Sequence, residues 1–156
     1  MKLLIVAVGV RMPRWVDDAV AEYAKRMPRT ARLEISEVRP EPRDTGKPVK
    51  QMLALEAGRI AAAVPERSTT VALDERGREF TSAALARWLG RRIDENIDTA
   101  FLIGGPDGLA APVKEAAELT LRLSAMTLPH GLARVLLAEQ IYRAASILQN
   151  HPYHRE

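Results

Sequence analysis

Three stretches of the sequence contain residue types that are suited to chemistry. In the first, residues 104–108 (GGPDG), paired glycines directly follow an apolar run. Glycine pairs let the backbone turn sharply and let a ligand approach main-chain atoms closely. The spacing is neither the Gly-x-Gly-x-x-Gly dinucleotide pattern nor a phosphate loop, because no Gly-Lys-Ser/Thr follows. The stretch is therefore either a ligand-binding turn or a tight connection between a strand and a helix.

The second stretch, residues 123–131 (LSAMTLPHG), is apolar and has no charged residue before His130. A loop this apolar is either buried or wraps an apolar ligand. An adenine ring, or the thioether-like part of a cofactor, would suit it, with main-chain groups bonding the edge of the base. A buried connection has the same sequence pattern, and a lone histidine such as His130 is more often structural than catalytic.

The third stretch is the C-terminal segment 151–156. It combines imidazole, aromatic and guanidinium side chains at His151, Tyr153, His154 and Arg155. Such groups can stack on an unpaired base and contact its phosphates, although a frayed, solvated end is the alternative. Upstream, Glu139 and Arg143 are four residues apart, which is typical of an ion pair on one face of a helix.

Composition excludes several classes of site. The chain has 156 residues, 17.3 kDa and no cysteine, so disulfides, thiolate nucleophiles and cysteine-based metal sites are ruled out. With three histidines in the chain, we expect no metal site. The formal charge of 23 − 20 = +3 is compatible with a polyanionic partner without indicating one.

Strand-like runs alternate with helical periodicity along the chain. The predicted strands are 2–8, 32–38, 69–73, 99–103 and 119–123. The predicted helices lie between Pro13 and Pro28, over 49–64, after a cap at Thr81 or Ser82, over 112–118 and over 132–149. The last helix places Leu137, Ile141, Ala144, Ala145 and Leu148 on one face. Residues 39–48, with three prolines, are predicted to be a mobile loop, and a polar turn at 74–78 is predicted to end the third strand.

This alternation predicts an α/β fold in one domain over 1–156, with a mostly parallel sheet and helices on both faces. Ligands of such sheets bind at the carboxyl ends of the strands, here after Leu73, at 104–108 and at 124–130. The opening run 2–8 is predicted to be a buried strand rather than a signal peptide. No apolar run approaches the roughly 20 residues of a membrane span, so we expect a cytoplasmic protein.

Several segments together resemble one known family. They are LIGGPDGL at 102–109, LSAMTLPH at 123–130, QNHPYHRE at 149–156, and the opening KLLIVAVG with Met12, Pro13, Trp15 and Val16. These segments are similar to the bacterial ribosomal RNA large-subunit methyltransferase H family of the SPOUT class. The resemblance covers essentially the whole chain and is densest in its C-terminal third, whereas residues 39–48 match poorly.

The resemblance implies a deep trefoil knot near the C-terminus, a homodimer, and S-adenosylmethionine bound in the knot. It also implies methylation of N3 of a pseudouridine in a 23S rRNA stem-loop of assembled ribosomes. The implied cofactor contacts are Leu73, Gly104, Leu123, Ser124, Ala125, Met126, Thr127 and Leu128. The implied RNA-facing residues are Tyr153, His154 and Arg155, and Glu139 and Arg143 lie on the helix that helps to form the site.

Methylation at N3 requires the proton on that nitrogen to leave. A neutral His154, or a water held near it, could act as general base. Alternatively, Arg143 or Arg155 could stabilise the anionic base and make a strong protein base unnecessary. Two rivals remain from other classes: a ribosome-binding factor without catalysis, and a small-molecule enzyme with a nucleotide cofactor.

Overall fold

The computed structural model describes residues 1–154, so Arg155, a predicted catalytic and RNA-binding residue, lies outside the described residues. Within that range strands and helices alternate along the chain. The strands are β1 (Lys2–Val8), β2 (Arg32–Val38), β3 (Thr69–Glu79), β4 (Thr99–Ile103) and β5 (Leu119–Arg122). The helices are α1 (Arg14–Arg26), α2 (Val49–Ala63), α3 (Ser82–Asp94), α4 (Ala111–Ala116) and α5 (His130–Leu148). The predicted element order is confirmed.

The strands form one sheet in the order β2-β1-β4-β3-β5. Every pairing between neighbouring strands is parallel. This confirms the predicted α/β class, and the sheet is entirely parallel where the sequence predicts a mostly parallel one. Strand β1 lies inside the sheet, and six of its seven residues are buried. Strand β2 lies at an edge, as its alternation of polar and apolar residues predicts, and Leu33 and Val38 are its buried residues.

Helices cover both faces of the sheet, as predicted. Side chains from α1, α3 and α5 pack with one face in a core that includes Leu3, Ile5, Phe101, Leu89 and Leu137. The other face packs with α2 and α4 around Val6, Leu102 and Ile60. On α5 the predicted apolar face is buried except at Leu148, which is 41% exposed. Leu148 is the last residue of α5 and lies at the margin of this face, where its side chain is beside Gly90 of α3.

Strand β3 is longer than its sequence suggests. Leu73 and Arg78 both pair with Leu121 of β5, so residues 74–77 bulge out and pairing then resumes. The predicted end of the strand at Leu73 is therefore wrong, although the polar residues do mark an interruption. Gly77 makes this possible: a Cβ there would lie 2.7 Å from the backbone of Leu121, closer than a side chain tolerates.

The loop at 39–48 is held down by buried carboxylates. Glu56 of α2 is 2% exposed and accepts hydrogen bonds from the Glu41 backbone N–H and from the Arg43 guanidinium, both at 2.9 Å. Glu41 is itself buried and pairs with Lys47 at 2.6 Å and with Arg59 at 2.5 Å. Several charged residues of this loop thus form a network with α2, whereas its mobility stays a prediction.

The predicted helix cap is confirmed at Thr81, whose hydroxyl oxygen accepts a hydrogen bond of 3.1 Å from the Ala84 N–H. None of the helices in residues 1–154 is long and apolar enough to cross a membrane. The trefoil knot stays a prediction.

Candidate active site

A cavity of about 850 Å³ opens at the carboxyl ends of the strands. Its walls come from the ends of β1, β4 and β5, from the segments that follow them, and from the bulge of β3 that begins after Leu73. The three places that the carboxyl-end rule selects therefore meet in one cavity. A volume of this size lies within the range of small-molecule and cofactor pockets.

Most of the predicted cofactor residues lie on the cavity wall. They are Leu73, Gly104, Leu123, Ser124, Met126, Thr127 and Leu128. Ala125 does not line the cavity. Residues at the end of β1, above all Gly9, also contribute to the wall, although their residue types do not indicate a chemical role. Their role follows from the position of β1 beside β4 in the sheet.

The glycine stretch forms a closed turn against the end of β4. Gly108 has φ +76°, and its N–H donates a hydrogen bond of 3.0 Å to the Gly105 carbonyl. A Cβ on Gly104 would lie 2.4 Å from the carbonyl carbon of Gly108. The turn thus requires a glycine at position 104 for close backbone approach and favours one at 108 because of its left-handed conformation.

The loop at 123–128 keeps its shape through polar contacts of its backbone. The Arg122 guanidinium donates to the Ser124 carbonyl at 3.1 Å, and the Met126 N–H donates to the Ser124 hydroxyl oxygen at 2.9 Å. The loop carries no charged side chain, and Met126 is 79% exposed. It therefore offers apolar surface and main-chain groups to a ligand in the cavity.

Two of the carboxylates around the cavity are paired with cations of the same chain. Lys114 donates to Asp74 at 3.0 Å, and Arg43 donates to Asp107 at 2.9 Å. Burial acts against the charged form of Asp74, but hydrogen bonds from the Arg76 N–H and from Lys114 outweigh it and lower the pKa of the Asp74 carboxyl. In residues 1–154, no three histidine or acidic side chains converge to hold a metal ion.

A fully buried arginine, Arg134, lies behind the cavity wall. Its Nε donates to Nε2 of His130 at 2.8 Å, and Nδ1 of His130 lies 3.0 Å from the Gly104 carbonyl oxygen. Burial and the charge of Arg134 lower the pKa of His130. Sequence reasoning missed Arg134; the one available signal was its spacing of four residues from His130 on the last helix.

The C-terminal residues lie at the other end of α5. Arg143 pairs with Glu139 at 2.6 Å, which confirms the predicted ion pair. Tyr153 packs against Tyr142, with ring centroids 4.6 Å apart, and donates to Glu139 at 3.0 Å. The segment up to Tyr153 is therefore folded against the helix rather than frayed. Nδ1 of His154 is buried and has no hydrogen-bond partner among the described residues.

Arg143, Tyr153 and His154 do not line the cavity of their own chain. Arg143 is 13 residues beyond His130 on α5, a distance of about 20 Å along a helix. Within a single chain, the residues predicted to bind the cofactor and those predicted to handle the RNA base are therefore far apart.

A family model described as "Predicted SPOUT methyltransferase" matches residues 1–154. The chain belongs to this family. It is 54% identical over 155 residues to "Ribosomal RNA large subunit methyltransferase H" from Nitrosospira multiformis, covering 99% of both chains. It is 56% identical over 155 residues to the protein of the same name from Ralstonia nicotianae, again covering 99% of both. The resemblance seen in the sequence is confirmed.

Solved structures agree with this fold at much lower sequence identity. A probable methylase family protein from Haemophilus influenzae has a TM-score of 0.57 and 14% identity, covering 99% of this chain and 70% of that one. A probable methyltransferase from Bordetella pertussis has a TM-score of 0.57 and 18% identity, covering 92% and 93%. At these identities the likeness supports the fold alone.

Membership of the family makes the chain a methyltransferase whose donor is S-adenosylmethionine, and the residues of the cavity fit this group. The loop at 123–128 gives apolar walls and free main-chain groups for an adenosyl moiety, whose ring is flat and apolar and whose edge is polar. The turn at 104–108 allows close approach to the backbone, since a side chain at Gly104 would not fit.

Proposed function

We propose that this methyltransferase acts on ribosomal RNA, and that it methylates N3 of a pseudouridine in a 23S rRNA stem-loop of the assembled ribosome. The observation that carries the proposal is full-length identity of 54–56% to relatives named for methylation of large-subunit ribosomal RNA. Action on ribosomes would place the enzyme in the cytoplasm.

We infer further that the working enzyme is a homodimer with a composite site. The separation of about 20 Å along α5 between His130 and Arg143 keeps the C-terminal segment away from its own chain's cavity. A second chain that brings its C-terminal segment to that cavity would join the two halves. Eight residues are proposed to hold the donor: Leu73, Gly104, Leu123, Ser124, Ala125, Met126, Thr127 and Leu128.

The proposed chemistry assigns separate tasks to the C-terminal residues. S-adenosylmethionine supplies an electrophilic methyl group on a sulfonium. Burial and the hydrogen bond to Glu139 raise the pKa of Tyr153 to about 12, so its phenol stays protonated near neutral pH and is a poor proton acceptor. His154 is the better candidate for taking the N3 proton; because its Nδ1 is buried, the other ring nitrogen, Nε2, would be the accepting atom.

Arg143 and Arg155 are the candidates for stabilising the anion that forms when N3 loses its proton. The hydrogen bond from Arg143 to Glu139 raises the pKa of the guanidinium, which therefore stays cationic. Glu139 also neutralises part of the charge of Arg143, so the guanidinium is fixed in place by this ion pair. Tyr153, His154 and Arg155 are the residues we propose for contact with the RNA.

The net charge of +3 per chain is low for a protein that binds RNA through its phosphates alone. We therefore propose that recognition needs the paired surfaces of two chains and the ribosome around the stem-loop. Efficient methylation of a short free stem-loop by a monomeric form would contradict this.

The composite site can be tested by complementation between two inactive variants. Met126→Arg adds a cation to the proposed donor cavity at an exposed position, and His154→Gln removes the proposed base; each homodimer should lose activity. Mixed dimers should regain activity, because one of their two sites combines an intact cavity with an intact C-terminal segment. If mixtures stay inactive although mixed dimers form, the composite site is wrong.

Substrate identity can be tested separately by mass spectrometry of ribosomal RNA from a deletion strain. We expect one pseudouridine in 23S rRNA to lack a methyl group, and the wild-type gene to restore it. His154→Gln and Arg155→Ala should fail to restore it while binding S-adenosylmethionine within about twofold of wild type, a difference below about 0.5 kcal/mol. Restoration by a chain lacking the C-terminal segment would contradict the assigned roles.

A further inference from the structure

Arg134 is completely buried, one turn into α5, and all three of its nitrogen groups are used. Nη1 donates to Glu37 at 2.7 Å, Nη2 donates to the Gly9 carbonyl at 2.8 Å, and Nε donates to His130 at 2.8 Å. A buried cation is strongly destabilising unless it is paired and hydrogen-bonded. Here the three partners come from β2, the end of β1 and the start of α5, so the guanidinium connects three elements behind the cavity.

The contacts of His130 define its protonation. Because Nε2 accepts from Arg134, the ring proton lies on Nδ1, which donates to the Gly104 carbonyl at 3.0 Å. A doubly protonated ring would point an N–H at the guanidinium. His130 is also the first residue of α5, where the helix dipole disfavours a further positive charge.

The end of β1 leaves room for this arrangement. Gly9 has φ +153°, and a Cβ there would lie 3.1 Å from Nη2 of Arg134 and 3.5 Å from Nε2 of His130. A larger residue would therefore press on the Arg134 guanidinium and touch the His130 ring. The contact between Arg134 and His130 therefore depends on the absence of a side chain at position 9.

We propose that Arg134 is a positioning residue for the donor cavity: it keeps His130 neutral and correctly oriented, and His130 in turn fixes the Gly104 carbonyl at the end of β4. The inference rests on the proposed use of the cavity for S-adenosylmethionine. That donor is a sulfonium cation, so a charged imidazolium on the cavity wall would oppose its binding. The charge of Arg134 itself is balanced by Glu37.

The groups that face His130 act on its pKa in opposite directions. Burial and Arg134 lower it, whereas the Gly104 carbonyl and the carboxylate of Glu37 raise it. Removing Arg134 should therefore raise the pKa of His130, and removing the charge of Glu37 should lower it further. A residue that merely filled space would produce no such pair of opposite shifts.

The first experiment follows the His130 ring by NMR titration in the full-length protein without ligand. Arg134→Met should raise the pKa of His130 by about one unit or more, and Glu37→Gln should lower it. Leu137→Ala, a buried change one turn further along α5, should destabilise the fold without moving that pKa. If Arg134→Met does not fold, Glu37→Gln still decides. A Glu37→Gln titration equal to wild type, or an upward shift, would overturn the inference.

The second experiment measures the affinities of S-adenosylmethionine and S-adenosylhomocysteine by calorimetry at pH 6 and pH 8. The two ligands differ by the methyl group and the sulfonium charge, and only the charge responds to protonation of a nearby group. The change of their affinity ratio with pH therefore reports the effect of charge. In wild type the affinity for S-adenosylmethionine divided by that for S-adenosylhomocysteine should not change with pH. In Arg134→Met this ratio should be about fivefold or more lower at pH 6 than at pH 8. An unchanged ratio in Arg134→Met would overturn the inference. Wild type that binds neither ligand would overturn the proposed cofactor site instead, and the titration would still decide the role of Arg134 in holding His130.

Discussion

The Tyr153 hydroxyl donates a hydrogen bond of 3.0 Å to Oε1 of Glu139, and the same oxygen accepts one of 2.9 Å from Nε of Arg143. A single carboxylate thus joins the C-terminal segment to α5. The Arg143 guanidinium lies 5.0 Å from the centroid of the Tyr153 ring, and the ring also packs against Tyr142. The ring of Tyr153 is therefore engaged within the protein. We therefore expect Tyr153 to contact the RNA from this fixed position and to position its neighbours, rather than to leave Tyr142.

This arrangement predicts an alkaline stability effect. The pKa of Tyr153 is raised from 10 to about 12, by burial first and then by Glu139. Because the folded-state pKa lies above the unfolded one, the stabilisation is fully present below pH 10 and is lost as the pH rises towards 12. Tyr153→Phe removes the ionisable hydroxyl and with it this pH dependence. Denaturation of both proteins from pH 8 to 12 should show wild type losing stability faster above pH 10; parallel curves would contradict the prediction.

Glu139→Gln should uncouple Arg143 and Tyr153 while leaving the cavity intact. We expect methyl transfer to fall at least about tenfold, because misplaced groups at a reacting centre cost rate steeply, with donor affinity within about twofold. Glu22→Gln is a matched control, since Glu22 pairs with Arg26 at the same spacing and at 2.7 Å on the exposed surface of α1. It should change neither quantity. If Glu139→Gln lost donor affinity as much as it lost methyl transfer, the assignment of this cluster to the RNA base rather than to the donor would be wrong.

Gly104→Ala should abolish donor binding. The added methyl would lie 2.4 Å from the backbone of Gly108, so the turn at 104–108 must open. Gly58→Ala is the control: Gly58 lies inside α2, with no described atom within 4 Å of an added Cβ. That change should stabilise the protein by about 0.5–1 kcal/mol. Calorimetry and denaturant unfolding of both variants separate lost binding from lost folding; full donor affinity in Gly104→Ala would refute the turn's role.

The sequence predicts the fold well because burial selects the residue types of the strands and of the inward-facing sides of the helices. The apolar run in β1 and the spacing of Leu137 and Ile141 on α5 are dictated by burial, which reads directly from residue type. The place of the cavity follows from a general rule about strand ends, which correctly selected Leu73 and residues 104–108 as neighbours.

What the sequence could not predict depends on long-range pairing. Apart from the spacing of four residues from His130, nothing near Arg134 indicates that a charged residue is buried, since its partners Glu37 and Gly9 lie far away in the chain. The same holds for Glu56. The helical pattern predicts its position on α2 but does not indicate that Arg43 of the preceding loop is its partner. The continuation of β3 beyond Leu73 depends on β5, and polar residues such as Asp74 resemble a turn when that partner strand is unknown.

The buried carboxylate of Glu56 leads to a last prediction, which links the 39–48 loop to the cavity. Arg43 bonds Glu56 at 2.9 Å and Asp107 of the glycine turn at 2.9 Å. Glu56→Gln keeps the shape but removes the charge that Arg43 and the Glu41 N–H rely on, so stability should fall by about 2 kcal/mol. Because Arg43 also holds Asp107, donor affinity should fall about fivefold, or roughly 1 kcal/mol.

The control for this change is Asp18→Asn, which breaks an exposed contact of 3.6 Å with Arg14 and should cost less than about 0.5 kcal/mol. Urea unfolding gives the stabilities, and calorimetry with S-adenosylmethionine gives the affinities. Stability lost with affinity unchanged would show that the loop supports the fold without acting on the turn. Because Arg43 spans both carboxylates, we expect the two losses to appear together, and Asp107→Asn should reproduce the loss of affinity with a smaller loss of stability.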